Sequence, residues 1–156
     1  MNSLVIYASH KGNTRRVAER ITAILAESGS AQMFSTDEAP APIPAEVDLV
    51  VIGGPTEGHG MTPEIVALLE RIERQGVRGR RMAAFDTRLW WPRFLSGSAG
   101  DSIAQRLRAA GAEFVGPVGS FIVTMKPELQ PGELERAATW AAALADALRE
   151  AVPAGR

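Results

Sequence analysis

Ser9-His10-Lys11-Gly12-Asn13-Thr14 is the stretch on which the reading of this chain turns. It follows the apolar run Leu4-Val5-Ile6-Tyr7-Ala8 and precedes a helical pattern that begins near Arg15. The first amides of a helix have no intrahelical acceptor, and the helix dipole adds roughly half a positive charge at that end. A loop of small polar residues placed there is suited to an anion. The hydroxyls of Ser9 and Thr14, the amide of Asn13 and the bare backbone of Gly12 suit a phosphate held by hydrogen bonds. The local alternative is an ordinary tight turn ahead of a capped helix, since short motifs recur by chance.

Outward from this stretch, strands and helices alternate. Val17, Ile21, Ile24 and Leu25 recur at helical spacing and stop at Gly29. Ala31 to Ser35 reads as a short strand, and the proline-rich residues 39–46 as a surface connection. Asp48-Leu49-Val50-Val51-Ile52-Gly53 is apolar and β-branched, as a parallel strand buried on both faces requires. Thr62 as N-cap and Pro63 at the first helical position open a helix through Ile65, Leu68, Leu69 and Ile72 that ends before Gly76. Met82 to Phe85 is a fourth strand, and Ile103, Leu107 and Ala110 mark a third helix closed by Gly111. Phe114-Val115 and Ser120 to Val123 make a fifth strand with a kink at Gly116-Pro117, and Glu133 to Glu150 is the last helix. Strands alternating with helices of this length imply right-handed crossovers, a parallel sheet and helices on both faces.

Composition bounds the function. At 156 residues, 46% hydrophobic and 22% charged, the chain fits one globular domain over residues 1–150, followed by a short flexible tail at 151–156. No apolar run spans a bilayer, so no membrane insertion is expected. Zero cysteines exclude disulfides and thiolate chemistry and fit a cytoplasmic protein. The two histidines, His10 and His59, lack a metal-ligand spacing. The net charge is −1, and the 17 basic residues, all arginine save Lys11 and Lys126, mix with acids, so no block argues for nucleic acid.

Ligands in open parallel sheets sit beyond the carboxyl ends of the strands, where strand order reverses. Three connections leave such ends with distinctive chemistry: 9–14, 54–61 and 86–99. In the second, Pro55, Thr56, Glu57, Gly58, His59 and Gly60 form a glycine-rich loop that either lets backbone approach a flat ligand or merely makes a tight turn. The third, long for a compact domain, begins at Asp86-Thr87-Arg88 and holds Trp90 and Trp91, of which one or both would wall a flat heteroaromatic or cover the core edge. This clustering favours phosphate binding in the first loop.

In these residues and their spacing, the chain resembles the flavodoxin family along nearly its whole length. Ser9 to Thr14 is similar to the family's phosphate loop, Gly53-Gly54-Pro55-Thr56 to the loop flanking the flavin ring, and Phe85-Asp86-Thr87-Arg88 with Ser96-Gly97-Ser98-Ala99 to the third, ring-contacting loop. The lack of a long insertion between Val115 and Ser120 resembles the short-chain branch. The resemblance implies a three-layer α/β sandwich with a five-stranded parallel sheet of order 2-1-3-4-5, an order carried over from the family. It implies one non-covalent FMN, with Ser9, Asn13 and Thr14 as principal phosphate donors and His10 and Lys11 adding charge at the rim. Residues 55–60 and 87–91 would flank the ring, with Trp90 or Trp91 stacking on it.

Two departures stand out. Shuttling flavodoxins are strongly acidic, whereas this chain is near neutral, and Glu57 and His59 replace the usual aromatic of the second loop. Arg88 and Arg93 either lie on a solvated face or in a salt bridge, or stand near the ring, where cationic groups would raise its potential. The implied function is electron transfer from a flavin reductase or other redox protein to a protein or small acceptor, with the oligomeric state open. The alternatives are an FMN-dependent NAD(P)H:quinone-type reductase and a flavodoxin-like interaction module that has lost FMN.

Overall fold

A computed structural model of the chain describes residues 1–151. Of the expected tail, residues 152–156 lie outside the described residues. Its elements run β1 (Asn2–Tyr7), α1 (Asn13–Ala26), β2 (Ser30–Ser35), β3 (Leu49–Pro55), α2 (Pro63–Gln75), β4 (Arg81–Leu89), α3 (Arg93–Ser96), α4 (Ala99–Ala109), β5 (Glu113–Phe114), β6 (Gly119–Val123) and α5 (Glu133–Glu150). The strands form one parallel sheet of order β2-β1-β3-β4-β5, with β6 also paired to β4.

The alternation of side chains along each strand builds two cores. Leu4 and Ile6 of β1, Val50 and Ile52 of β3, and Met82 and Ala84 of β4 face α2 and α4, where Ile65, Leu68, Leu69, Ile103 and Leu107 close the layer. Val5, Leu49, Val51, Ala83 and Phe85 face α1 and α5 through Val17, Ile21, Leu25, Ala141 and Leu144. Because β3 carries large apolar side chains toward both layers, it is buried along nearly its whole length. The chain moves from β1 outward to β2, then returns across β1 to β3, so the strand order reverses between β1 and β3. A crevice opens at their carboxyl ends.

Three elements differ from the sequence expectation. The fifth strand is two short strands: β5 pairs with Arg81 and Met82 of β4, and β6 with Phe85 to Leu89. Gly116, at φ 67°, lies between them, so the kink is a complete break. Second, β4 runs on to Leu89, and Asp86, Thr87 and Arg88 belong to the strand rather than to a loop. Gly54 and Pro55 of β3 and Ser120 to Val123 of β6 supply its partners on both sides, and this pairing overrides the polar side chains that read as a loop. Third, the connection after β4 contains the short helix α3. Thr62 does stand at the N-cap of α2, in extended conformation, but its hydroxyl makes no capping hydrogen bond.

Candidate functional site

A cavity of about 300 Å³ lies beyond the carboxyl ends of β1, β3, β4 and β6. At one end stands the loop 9–14. Gly12, at φ 87°, takes the left-handed conformation that starts α1, a position where a side chain would be strained. The Ser9 hydroxyl accepts the amides of Gly12 and Arg15 at 3.2 and 3.3 Å, which curls the loop about its own first residue. The amide of Arg16 then finds the Gly12 carbonyl. Among the described residues, the amides of His10, Lys11, Asn13 and Thr14 meet no protein acceptor. Free amide donors at a helix N-terminus are what an anion needs.

Side chains complete this end. The Thr14 and Thr87 hydroxyls lie 2.8 Å apart, so one proton serves the pair and the other remains for a ligand. Asn13 is otherwise engaged: its side-chain amide donates to the Pro127 carbonyl at 2.7 Å and ties the phosphate loop to the segment after β6. His10 lies between two carboxylates, with Nδ1 2.6 Å from Glu57 and Nε2 3.0 Å from Glu64. The hydrogen bond to Glu64 and the nearby Glu57 charge outweigh its burial and raise its pKa above the usual histidine value. Glu64 is held below the usual carboxylate range by a hydrogen bond to its own backbone amide, with His10 adding to the effect.

The second loop is a tight hairpin. Glu57 and Gly60 exchange both backbone hydrogen bonds, at 3.0 and 3.1 Å, across Gly58 and His59 with φ of 56° and 69°. Two successive left-handed residues are the signature of a type I′ turn. The Thr56 hydroxyl accepts the Ala99 amide at 3.0 Å, and the Thr56 amide donates to Thr87 at 2.8 Å. Gly97 packs so closely on His59 that a side chain there would lie 2.0 Å from the His59 carbonyl oxygen. The second and third loops are therefore one unit.

Asp86 does not line the cavity. It is fully buried, accepting Ser120 on one oxygen and Ser98 and the Gly100 amide on the other, at 2.5 to 3.0 Å. Ser98 in turn caps α4 by accepting the Asp101 amide. Asp86 thus fastens β4, β6 and α4 beneath the floor. Arg88 does reach the cavity, with its guanidinium fixed by Ser120 at 2.6 Å and the Trp91 carbonyl at 2.7 Å. Trp90 is 63% exposed and lies outside the main cavity, whereas Trp91 lines an adjoining one of about 190 Å³ with Gly58 and His59. Ser9 and Gly12 frame the phosphate loop from behind, and Gly60 closes its turn.

Of the expected residues, His10, Lys11, Asn13, Thr14, Pro55, Thr56, Glu57, Thr87 and Arg88 line the cavity together. Leu89 falls within the expected 87–91, and the wall missed from sequence is the segment Val123, Thr124, Met125 and Pro127. This segment also leaves the carboxyl end of a sheet strand, so the rule that picked out the other three loops applies to it equally. Its lack of glycine and aromatic residues hid it. The Thr124 hydroxyl is buried without a partner among the described residues and stands in this wall.

The donor set fits a phosphorylated polyol attached to a flat apolar ring. His10, Lys11, Asn13 and Thr14, whose amides meet no protein acceptor among the described residues, line the cavity together with Thr56, Thr87 and Thr124 and the apolar Pro55, Leu89, Val123 and Met125. Such a site on a doubly wound parallel sheet defines a nucleotide-type flavoprotein. The family model described as Flavodoxin matches residues 5–140, and the chain belongs to the flavodoxin family. FMN is its cofactor. Among solved structures, oxidised flavodoxin 2 from Bacillus cereus is 26% identical, covering 94% of this chain and 99% of that one, with a TM-score of 0.77. Oxidised flavodoxin 1 from Bacillus cereus is 21% identical over 94% and 98%, with a TM-score of 0.78. The flavodiiron core from Synechocystis is 22% identical, covering 97% of this chain and 37% of that one, with a TM-score of 0.76. The same fold thus recurs as part of a longer chain.

Proposed function

We propose that this FMN-binding redox protein takes electrons from a flavin reductase or another redox protein and passes them to a protein or small acceptor. The observation that carries the reading is the rim of the cavity. Met125, 69% exposed, lines the cavity, and Trp90, Phe94 and Leu95, 63, 84 and 51% exposed, follow Leu89 of its wall on the connection after β4. Exposed apolar side chains grouped at a site's mouth are a docking feature, because water gains by their burial in a partner. FMN supplies the redox chemistry when bound, and the protein contributes position and electrostatics. A cytoplasmic location belongs to the same reading and is supported by the cysteine-free sequence.

The test is a reconstituted relay of FMN-loaded protein, NAD(P)H, a flavodoxin-type reductase and a haem protein as terminal acceptor. Acceptor reduction that requires both proteins is the expected result. NAD(P)H oxidation by this chain alone, with a quinone as acceptor, would replace the relay with a stand-alone reductase. Protein that stays colourless on FMN titration would make it an interaction module.

A further inference from the structure

His10 stands inside the phosphate loop, yet both of its ring nitrogens point at carboxylates. Ionised carboxylates only accept hydrogen bonds, and a neutral imidazole carries a single N–H. Contacts of 2.6 Å to Glu57 and 3.0 Å to Glu64 are therefore both satisfied only by imidazolium. Three separate segments meet at this ring. His10 comes from the phosphate loop, Glu57 from the type I′ turn beside the cavity, and Glu64 from the first turn of α2, where the helix dipole favours a negative charge. Glu57 and His10 both line the cavity.

We propose that His10, as the imidazolium, is a positioning residue that pins the Glu57 turn to the phosphate loop, so that FMN is held more tightly when His10 is charged than when it is neutral. The charged groups around the ring are Glu57 from the turn, Glu64 from α2, Lys11 from its own loop, Arg15 from α1 and Asp37 from the segment after β2. Arg15 is engaged by Glu19 at 3.0 Å, whereas the two glutamates touch the ring directly, so the carboxylates decide its charge. Loss of the proton leaves one carboxylate facing a nitrogen lone pair, and that bond breaks. The bridge from Glu57 through His10 to Glu64 is then held by one link fewer, and one positive charge disappears from the loop that carries the free amides. Both effects weaken FMN as pH rises through the His10 pKa, which lies above the ordinary value.

The test measures FMN dissociation constants by flavin fluorescence from about pH 6.5 to about 9, above the second ionisation of a phosphate monoester. The native chain is expected to lose about three- to tenfold in affinity across that window, a size set by the partial exposure of the groups. His10→Gln, at a half-exposed position that tolerates the change, is expected to bind more weakly at the acid end and to show a flat profile. A merely structural histidine would lower affinity equally at every pH and leave the slope in place. That outcome overturns the proposal. Independently of FMN, the His10 ring resonances of the free protein are expected to titrate above about 6.5, and Glu64→Gln to lower the midpoint. A midpoint at or below that value overturns it as well.

Discussion

Thr14 and Asn13 sit side by side at the start of α1 and do different things. The Thr14–Thr87 pair leaves one hydroxyl proton free for a ligand, in the proposed site the phosphate, whereas the Asn13 side chain holds Pro127. A hydrogen bond to a charged group is worth roughly 1.5–3 kcal/mol, so Thr14→Val is expected to weaken FMN ten- to a hundredfold and riboflavin, which lacks the phosphate, only slightly. Asn13→Ala is expected to weaken both by similar factors, because it loosens a wall rather than removing a phosphate donor. Parallel titrations with the two flavins check this, and equal losses for Thr14→Val would remove its phosphate role. Arg88 is the second residue to test, because its charge cannot be discharged at any accessible pH. Held by Ser120 and the Trp91 carbonyl, its guanidinium is fixed at the cavity edge. A unit charge some 5 Å from the ring contributes on the order of 3 kcal/mol at an effective dielectric of about 20, and solvent screening cuts that to about 1 kcal/mol. Arg88→Ala is therefore expected to lower the flavin potential by some tens of millivolts. Arg74, in the last turn of α2 at the far end of the sheet, is the control. An unchanged or raised potential would leave Arg88 as a tie between strand and loop.

At the scale of elements, the legibility of the chain followed how local the deciding interactions are. The helices were readable because their apolar stripes and end residues lie within a few turns of one another, as with Pro63 at the start of α2 and Gly76 after its end. The loop 9–14 was readable as a strand-to-helix connection for the same reason. The extension of β4 through Leu89 was not, since its cause is pairing with β3 and β6, 32 to 34 residues away in each direction. Asp86 shows the consequence. An aspartate at a strand end read as a ligand contact, but three donors from α4 and β6 enclose it. Nothing within a few positions of residue 86 announces Ser98, Gly100 and Ser120 as its partners. Removing its side chain would leave those donors buried and unpaired at the junction of three elements. Asp86→Ala is expected to destabilise the protein by about 3–5 kcal/mol, readable as a lower denaturation midpoint. Asp86→Asn, which keeps the shape and loses an acceptor, is expected to cost less. Full stability in Asp86→Ala would mean that the junction is held by packing alone.

For the molecule as a whole, the balance of charge decides how it meets a partner. Net charge is −1 and the sequence isoelectric point about 6.1, so the field it casts at distance is small. Long-range steering scales with that field and dies within about 10 Å at 0.1 M salt. A strongly acidic shuttle is guided in by charge, whereas in the proposed relay this chain would draw its encounter energy from apolar contact through the exposed Trp90, Phe94 and Leu95 of the connection after β4. Each exposed aromatic in the relay reading has area to bury, and burial is worth about 25 cal/mol per Å² before the costs of association. A Trp90→Ser, Phe94→Ser double variant is therefore expected to lower kcat/KM for electron transfer with the reductase about tenfold or more. Its FMN dissociation constant should be unchanged, since neither side chain lines the main cavity. The native protein's rate is expected to change by no more than about threefold between 0.05 and 0.3 M salt, the mark of an encounter with little steering. Steep salt dependence, combined with a double variant as fast as the native chain, would move the docking face away from the third loop and onto the charged rim around Lys11, Glu57 and Lys126.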